Sequence, residues 1–264
     1  MVTKTSNLKI ISYLHLANLN KEEFFNSLKQ ELKQDENGFA GFAKRAYLNQ
    51  NLEYQIFEKI EVLNSFKYDL KLISEIVYDA YSKCINVLPS YKPTYIYLFP
   101  SYLKFTDEQM GGVGGFTPYD NVIHLYIHQN YKDYAIKHTV AHEYNHSLIR
   151  CKWNNLLQSL IYEGFAEHFR MDVLGGEVAP WSNAIDETTC KIYFQTLRGK
   201  MNQEDLHNQV FYGSKDYPMW LGYSLGYNIV KSYLVNNPGL TWPNLMSKSP
   251  KEILKGSKYC KLLR

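Results

Sequence analysis

Apolar residues recur along this chain with two different periods, and the changes of period divide it. From Phe24 through Leu28 to Leu32 they fall every four residues, the spacing of one helix face, and Asn20 followed by Glu23 supplies the residue types that cap a helix start. A linker-like Gln34-Asp35-Glu36-Asn37-Gly38 comes next, and helical patterns resume over about 39 to 65. The clearest stripe runs from Leu70 through Ile73, Val77, Ala80, Cys84 and Val87, until Pro89 stops it. Beyond Pro93 the period becomes that of strands. Thr94 to Phe99 and Asn121 to Ile127 are rich in β-branched and aromatic residues, and Leu8 to Leu16, interrupted by Tyr13 and His15, is an earlier strand candidate. Helical spacing then returns in Ile136, Val140, Tyr144 and Leu148, and in Leu156, Leu157, Leu160, Ile161, Phe165 and Phe169. It recurs over 187–201, and in Leu221, Leu225, Ile229, Tyr233 and Leu234, with Pro238-Gly239 beyond the end. Between these last two, Asn202 to Pro218 is polar around Phe211-Tyr212-Gly213 and reads as a loop.

These patterns predict a mainly helical N-terminal region over 1–90, with a possible first strand, and a second region over 91–264, the two packed as one compact unit. With 264 residues, 45% of them hydrophobic, the chain can bury a full core. A net charge of +3 without any long Lys/Arg stripe argues against nucleic acid as the main partner. Cys84, Cys151, Cys190 and Cys260 are scattered without C-x-x-C spacing, which predicts free thiols in a reducing compartment and a cytoplasmic protein. The N-terminus lacks the uninterrupted apolar run of a signal peptide, and no stretch reaches the length of a membrane span.

The candidate chemistry sits in Thr139-Val140-Ala141-His142-Glu143-Tyr144-Asn145-His146-Ser147-Leu148, which contains H-E-x-x-H. On a helix, residues four apart lie one turn above each other, so His142 and His146 can present two imidazoles to one ion. Glu143 can then act on the water of a zinc hydrolase without being a ligand. A third ligand is offered by Glu163, in a second apolar helix where a carboxylate needs a partner. His142, His146, Glu163 and a water would make an open, catalytic zinc set. Glu167 lies one turn beyond Glu163 and could accept a hydrogen bond from the far nitrogen of a ligand histidine, or could be a solvated helix charge. His138 precedes His142 by one turn, but at 1.5 Å per residue it lies about 12 Å from His146 along the axis, too far to share an ion; a His138–His142 pair is the remaining alternative and has no Glu directly after its first histidine. His124, His128 and His138 read as surface or packing histidines.

H-E-x-x-H followed by E-G-x-A on a second helix resembles the gluzincin metallopeptidases, and the fuller pattern is similar to the YjaZ-type predicted zinc-dependent proteases. The matching segments are Gly111-Gly112-Val113-Gly114-Gly115-Phe116-Thr117-Pro118, His142 to His146, Glu163 to Glu167, and Trp220-Leu221-Gly222-Tyr223-Ser224-Leu225-Gly226-Tyr227. The resemblance implies an α+β fold with a zincin-like, thermolysin-type core: a small mixed sheet, an active-site helix and a mainly helical remainder. It implies one Zn2+ per chain and a peptide or protein substrate. A glycine-rich edge strand precedes the metal helix in gluzincins and pairs with the substrate chain. Gly112, Gly114 and Gly115 fit that element by position, a flexible loop being the other reading of so many glycines. Several gluzincin families place a tyrosine three before a glycine at the start of a C-terminal helix, where it hydrogen-bonds the oxyanion. Tyr223 occupies that place here, with Tyr227 in reserve; the lysine frequent before that glycine is Leu225 in this chain.

The expected activity is peptide-bond hydrolysis with Glu143 as general base. The competing expectation is a zinc-stabilised peptide-binding or chaperone-like module that turns nothing over.

Overall fold

The computed structural model describes residues 2–5, 7–32, 52, 55–57, 66–149 and 155–263. The linker-like 34–38, most of the helical pattern over 39–65, and Cys151 lie outside the described residues. The protein is mixed α/β, with one small mixed sheet and a mostly helical remainder. It divides into two compact units: residues 1–82 with 90–143, and residues 83–89 with 144–264. No helix among the described residues is long and apolar enough to cross a membrane.

The first unit holds the sheet. Strands β1 (Val2–Thr5) and β2 (Leu8–Ser12) are followed by helix α1 (Lys21–Leu32). Helix α2 (Leu70–Val87) begins here and runs on into the second unit. Strand β3 (Thr94–Pro100), helix α3 (Lys104–Met110), strands β4 (Val113–Tyr119) and β5 (Val122–Ile127), and the first part of helix α4 (Asp133–Ser147) complete it. Among the described residues the strands are ordered β1-β2-β3-β5-β4, with the two central pairings parallel and the two outer ones antiparallel. The parallel pair β2 and β3 joins Ile10 to Ile96, so the sheet draws strands from both sides of residue 90.

The aromatic and apolar run Tyr95 to Phe99 in β3 follows from burial on both faces. One face carries Tyr97, Phe99 and Tyr126, which form a core with Phe24, Leu28 and Leu32 of α1. On the opposite face, Leu98, Leu125 and Gly115 are cross-strand neighbours, and Gly115 rests against α4. The predicted start of α1 is a reciprocal cap: Asn20 Oδ1 accepts from the Glu23 N–H at 2.9 Å, and the Asn20 N–H donates to Glu23 Oε2 at 3.2 Å. Asn20→Ala should cost about 1 kcal/mol, read as a lower urea midpoint at an unchanged slope.

The second unit is helical. Its main elements are α5 (Leu156–Leu174), α6 (Glu187–Leu197), α7 (His207–Tyr212), α8 (Leu221–Asn236), α9 (Trp242–Met246) and α10 (Pro250–Gly256). Helices α5 and α8 cross where Gly164 meets Gly226, with backbone against backbone. Asn155 caps α5 by accepting from the Gln158 N–H, and Tyr144 at the end of α4 donates its hydroxyl to the Leu88 carbonyl at 2.7 Å. The expected loop over 202–218 contains α7 instead, because Leu206, Val210 and Phe211 fall on one side of a turn and are buried.

Candidate metal centre

Helix α4 carries His142 and His146 one turn apart on one face, and Glu163 projects from α5. One ligand atom from each of the three residues lies within 4.8 Å of the others. His146 Nε2 lies 3.4 Å from Glu163 Oε2. Ligands about 2.0–2.2 Å from a shared tetrahedral ion stand roughly 3.4 Å from one another, so this pair already has coordination spacing. His146 is 7% and Glu163 9% exposed. A carboxylate so withdrawn from water beside two imidazoles suits a bound cation, and two histidines with one glutamate leave a fourth position open, as in catalytic zinc sites. The residues present therefore fit zinc.

Glu143 is also buried, and its carboxylate is engaged by β4: the Thr117 hydroxyl lies 2.8 Å from Oε2 and 3.0 Å from the Glu143 carbonyl oxygen. β4 is the last strand of the described sheet, paired on one side by β5. Gly114 and Gly115 belong to it. Gly112 does not. It sits in the turn after α3 at φ +84°, and a Cβ there would lie 2.5 Å from the Tyr131 Cα. Its N–H donates to the Thr106 carbonyl, and its carbonyl accepts from the His128 N–H, so its backbone is already engaged. Gly112 is a turn glycine whose backbone groups are taken, unlike the strand glycines Gly114 and Gly115.

A family model described as "Predicted Zn-dependent protease (DUF2268)" matches residues 73–255. The chain belongs to this family. No curated protein matches it. The match to the predicted Zn-dependent protease family runs from within α2 into α10 and includes the glycine segment, helices α4 and α5, and the Trp220 to Tyr227 segment.

The family's segments hold residues whose surroundings differ from those expected. Glu167 is buried rather than solvated, and its Oε1 accepts from the Arg170 guanidinium and, at 2.7 Å, from the Ala179 N–H. Arg170 also donates to the carbonyls of Gly175 and Glu177, so the pair clasps the segment after α5. Tyr223 is half-buried in the first turn of α8 and meets the Phe211 ring edge-on at 4.9 Å. Tyr227 is stacked flat on His168 at 4.5 Å, and burial raises its pKa. Trp220 enters α8 at φ +67°, a left-handed conformation uncommon for a bulky side chain.

The other histidines separate cleanly. His124 is enclosed by Tyr97, Phe99 and Tyr126, and burial pushes its pKa down to about 3. His128 pairs with Asp107, and His138 packs on Tyr134. His207 is the residue that sequence reasoning passed over. Its ring stacks on Phe211 at 4.4 Å, and it lies within electrostatic reach of Glu163. Burial lowers its pKa, while the Glu163 charge acts in the opposite direction. The i, i+4 relation of His207 to Phe211 was the available signal, hidden by the polar residues around it.

Proposed function

We propose that this chain is a zinc-dependent peptidase with a zincin-like, thermolysin-type core. The observation that carries the reading is the convergence of His142, His146 and Glu163 within 4.8 Å, with Glu143 adjoining His142 in the same helix. The three residues would hold one Zn2+ per chain. Zinc bound there would supply Lewis-acid polarisation of the scissile carbonyl and a water of lowered pKa. Glu143 takes the proton of the attacking water and later delivers it to the leaving amine. Tyr223 donates its hydroxyl to the oxyanion of the tetrahedral intermediate, a contribution of about 3 kcal/mol for one well-placed donor. Tyr227 is the poorer candidate for that role, because its ring is stacked on His168.

The substrate is a peptide or protein segment, held extended along β4 by strand addition. The pairing parity supports this. The hydrogen bond from the His128 N–H to the Gly112 carbonyl makes 112 and 128 a bonded pair. Gly115, three positions on and opposite Leu125, then has its N–H and C=O turned away from β5. The free thiols at Cys84, Cys190 and Cys260 suit a cytoplasmic setting.

Zinc content tests the site. Protein purified without added metal should carry one zinc per chain by elemental analysis, and Glu163→Ala should carry a small fraction of that. Equal zinc in both would remove Glu163 from the ligand set, and no zinc in the wild type even after reconstitution would sink the peptidase reading. Full zinc occupancy with no turnover of any peptide would favour a zinc-stabilised peptide-binding module.

A further inference from the structure

The segment Gly111 to Pro118 ends in Thr117-Pro118, which strand addition leaves without a role. Along β4, Gly115 and Thr117 share the face turned to α4, as residues two apart in a strand do. A Cβ on Gly115 would lie 2.5 Å from Thr139 Cγ2 and 2.7 Å from both Cγ and Oε1 of Glu143. The glutamate side chain is thus laid directly on bare strand backbone. Two residues on, the Thr117 hydroxyl meets both Oε2 and the main-chain oxygen of Glu143. Pro118 cannot donate to a ladder, and the pairing of β4 with β5 shifts register between Phe116 and Tyr119, around Thr117.

We propose that Thr117 is a positioning residue for Glu143, holding its carboxylate in one orientation over Gly115 before substrate arrives. The catalytic value of this arrangement rests on the reading of Glu143 as the base; the positioning itself does not. A glutamate side chain has three rotatable bonds, and a base that must find its orientation in each turnover loses part of the advantage of proximity. Here the strand supplies both constraints. Gly115 opens the space and Thr117 anchors one oxygen, leaving Oε1 to meet the attacking water. The strand that would receive the peptide is therefore the strand that holds the base, so docking and proton transfer share one frame.

The test compares zinc-loaded wild type, Thr117→Val and Thr117→Ser, by crystal structure and by turnover of an internally quenched fluorogenic peptide library. Valine keeps the shape of threonine and removes the donor; serine keeps the donor. In Thr117→Val the Glu143 carboxylate should leave its wild-type position or spread over several rotamers, while Thr117→Ser keeps one position. The kcat of Thr117→Val should fall about ten- to a hundredfold, the scale of one hydrogen bond to a charged group, with KM and zinc content within error of wild type. Thr117→Ser should recover most of that loss. A Glu143 carboxylate unmoved in Thr117→Val would overturn the proposal, as would a parallel loss of zinc in that variant. If Glu143→Gln stays active, the base reading fails on its own, and the crystal comparison still decides whether Thr117 fixes the side chain.

Discussion

Glu143→Gln should bind zinc as the wild type does and hydrolyse peptides at least about a thousandfold more slowly, within the range that a positioned general base contributes. The substitution keeps the volume of the side chain and an oxygen that can still accept from the Thr117 hydroxyl, so the local packing of α4 on β4 is preserved. It removes only the capacity to take a proton. The proposed ligand atoms of His142, His146 and Glu163 are untouched, so zinc content by elemental analysis should not change. This combination separates the base from the ligands: loss of turnover with full metal assigns a proton-transfer role, whereas joint loss of metal and turnover would place Glu143 in the coordination sphere. Retained turnover at normal zinc content would assign the base elsewhere.

The parts of the site that could be read from the sequence are those in which local spacing dictates geometry. His142 and His146 converge because one helical turn separates them, and no tertiary information is needed to see it. Glu163 stood out for a different reason: a carboxylate among the helically spaced apolar residues from Leu156 to Phe169 requires a partner, and the paired histidines of the preceding helix were the candidates. The cap at Asn20 and the end of α2 before Pro89 are equally local. What resisted is non-local. The order β1-β2-β3-β5-β4 depends on which strands meet across a hundred residues of chain, and hydrophobic periodicity carries no such information. The glycines of 111–115 look alike in sequence, yet Gly112 serves a turn and Gly115 a close approach of strand to helix, a distinction made by the position of Tyr131 in one case and of Thr139 and Glu143 in the other. His207 comes within electrostatic reach of Glu163 only through the packing of α7 within the second unit. Glu167 is no solvated charge, because Arg170, three residues on, pairs with it inside the helical unit.

Gly226→Ala should be among the most damaging single substitutions in the helical unit, although alanine is the better helix former. A Cβ on Gly226 would stand 2.1 Å from the Leu160 carbonyl oxygen, and one on Gly164 would stand 2.4 Å from the Gly226 carbonyl oxygen. Both obstructions are helix backbone, so no side-chain rotation relieves them; α5 and α8 must separate. The gain in helix propensity is about 1 kcal/mol, and overpacking against an unyielding neighbour costs about 3 kcal/mol or more. The net loss of about 2–4 kcal/mol corresponds to a melting temperature lower by roughly 5–15 °C for a chain of this size. Gly199→Ala is the control, since nothing lies within 4 Å of a Cβ there, and it should melt within about 2 °C of wild type. The effect should also reach the metal. Glu163 precedes Gly164 at the crossing, so separating the helices displaces a proposed ligand, and zinc affinity measured by chelator competition should fall in Gly226→Ala and stay unchanged in Gly199→Ala. A Gly226→Ala protein as stable as wild type would mean that α5 and α8 do not meet at these glycines, and Glu163 would then need some other means of being held in place.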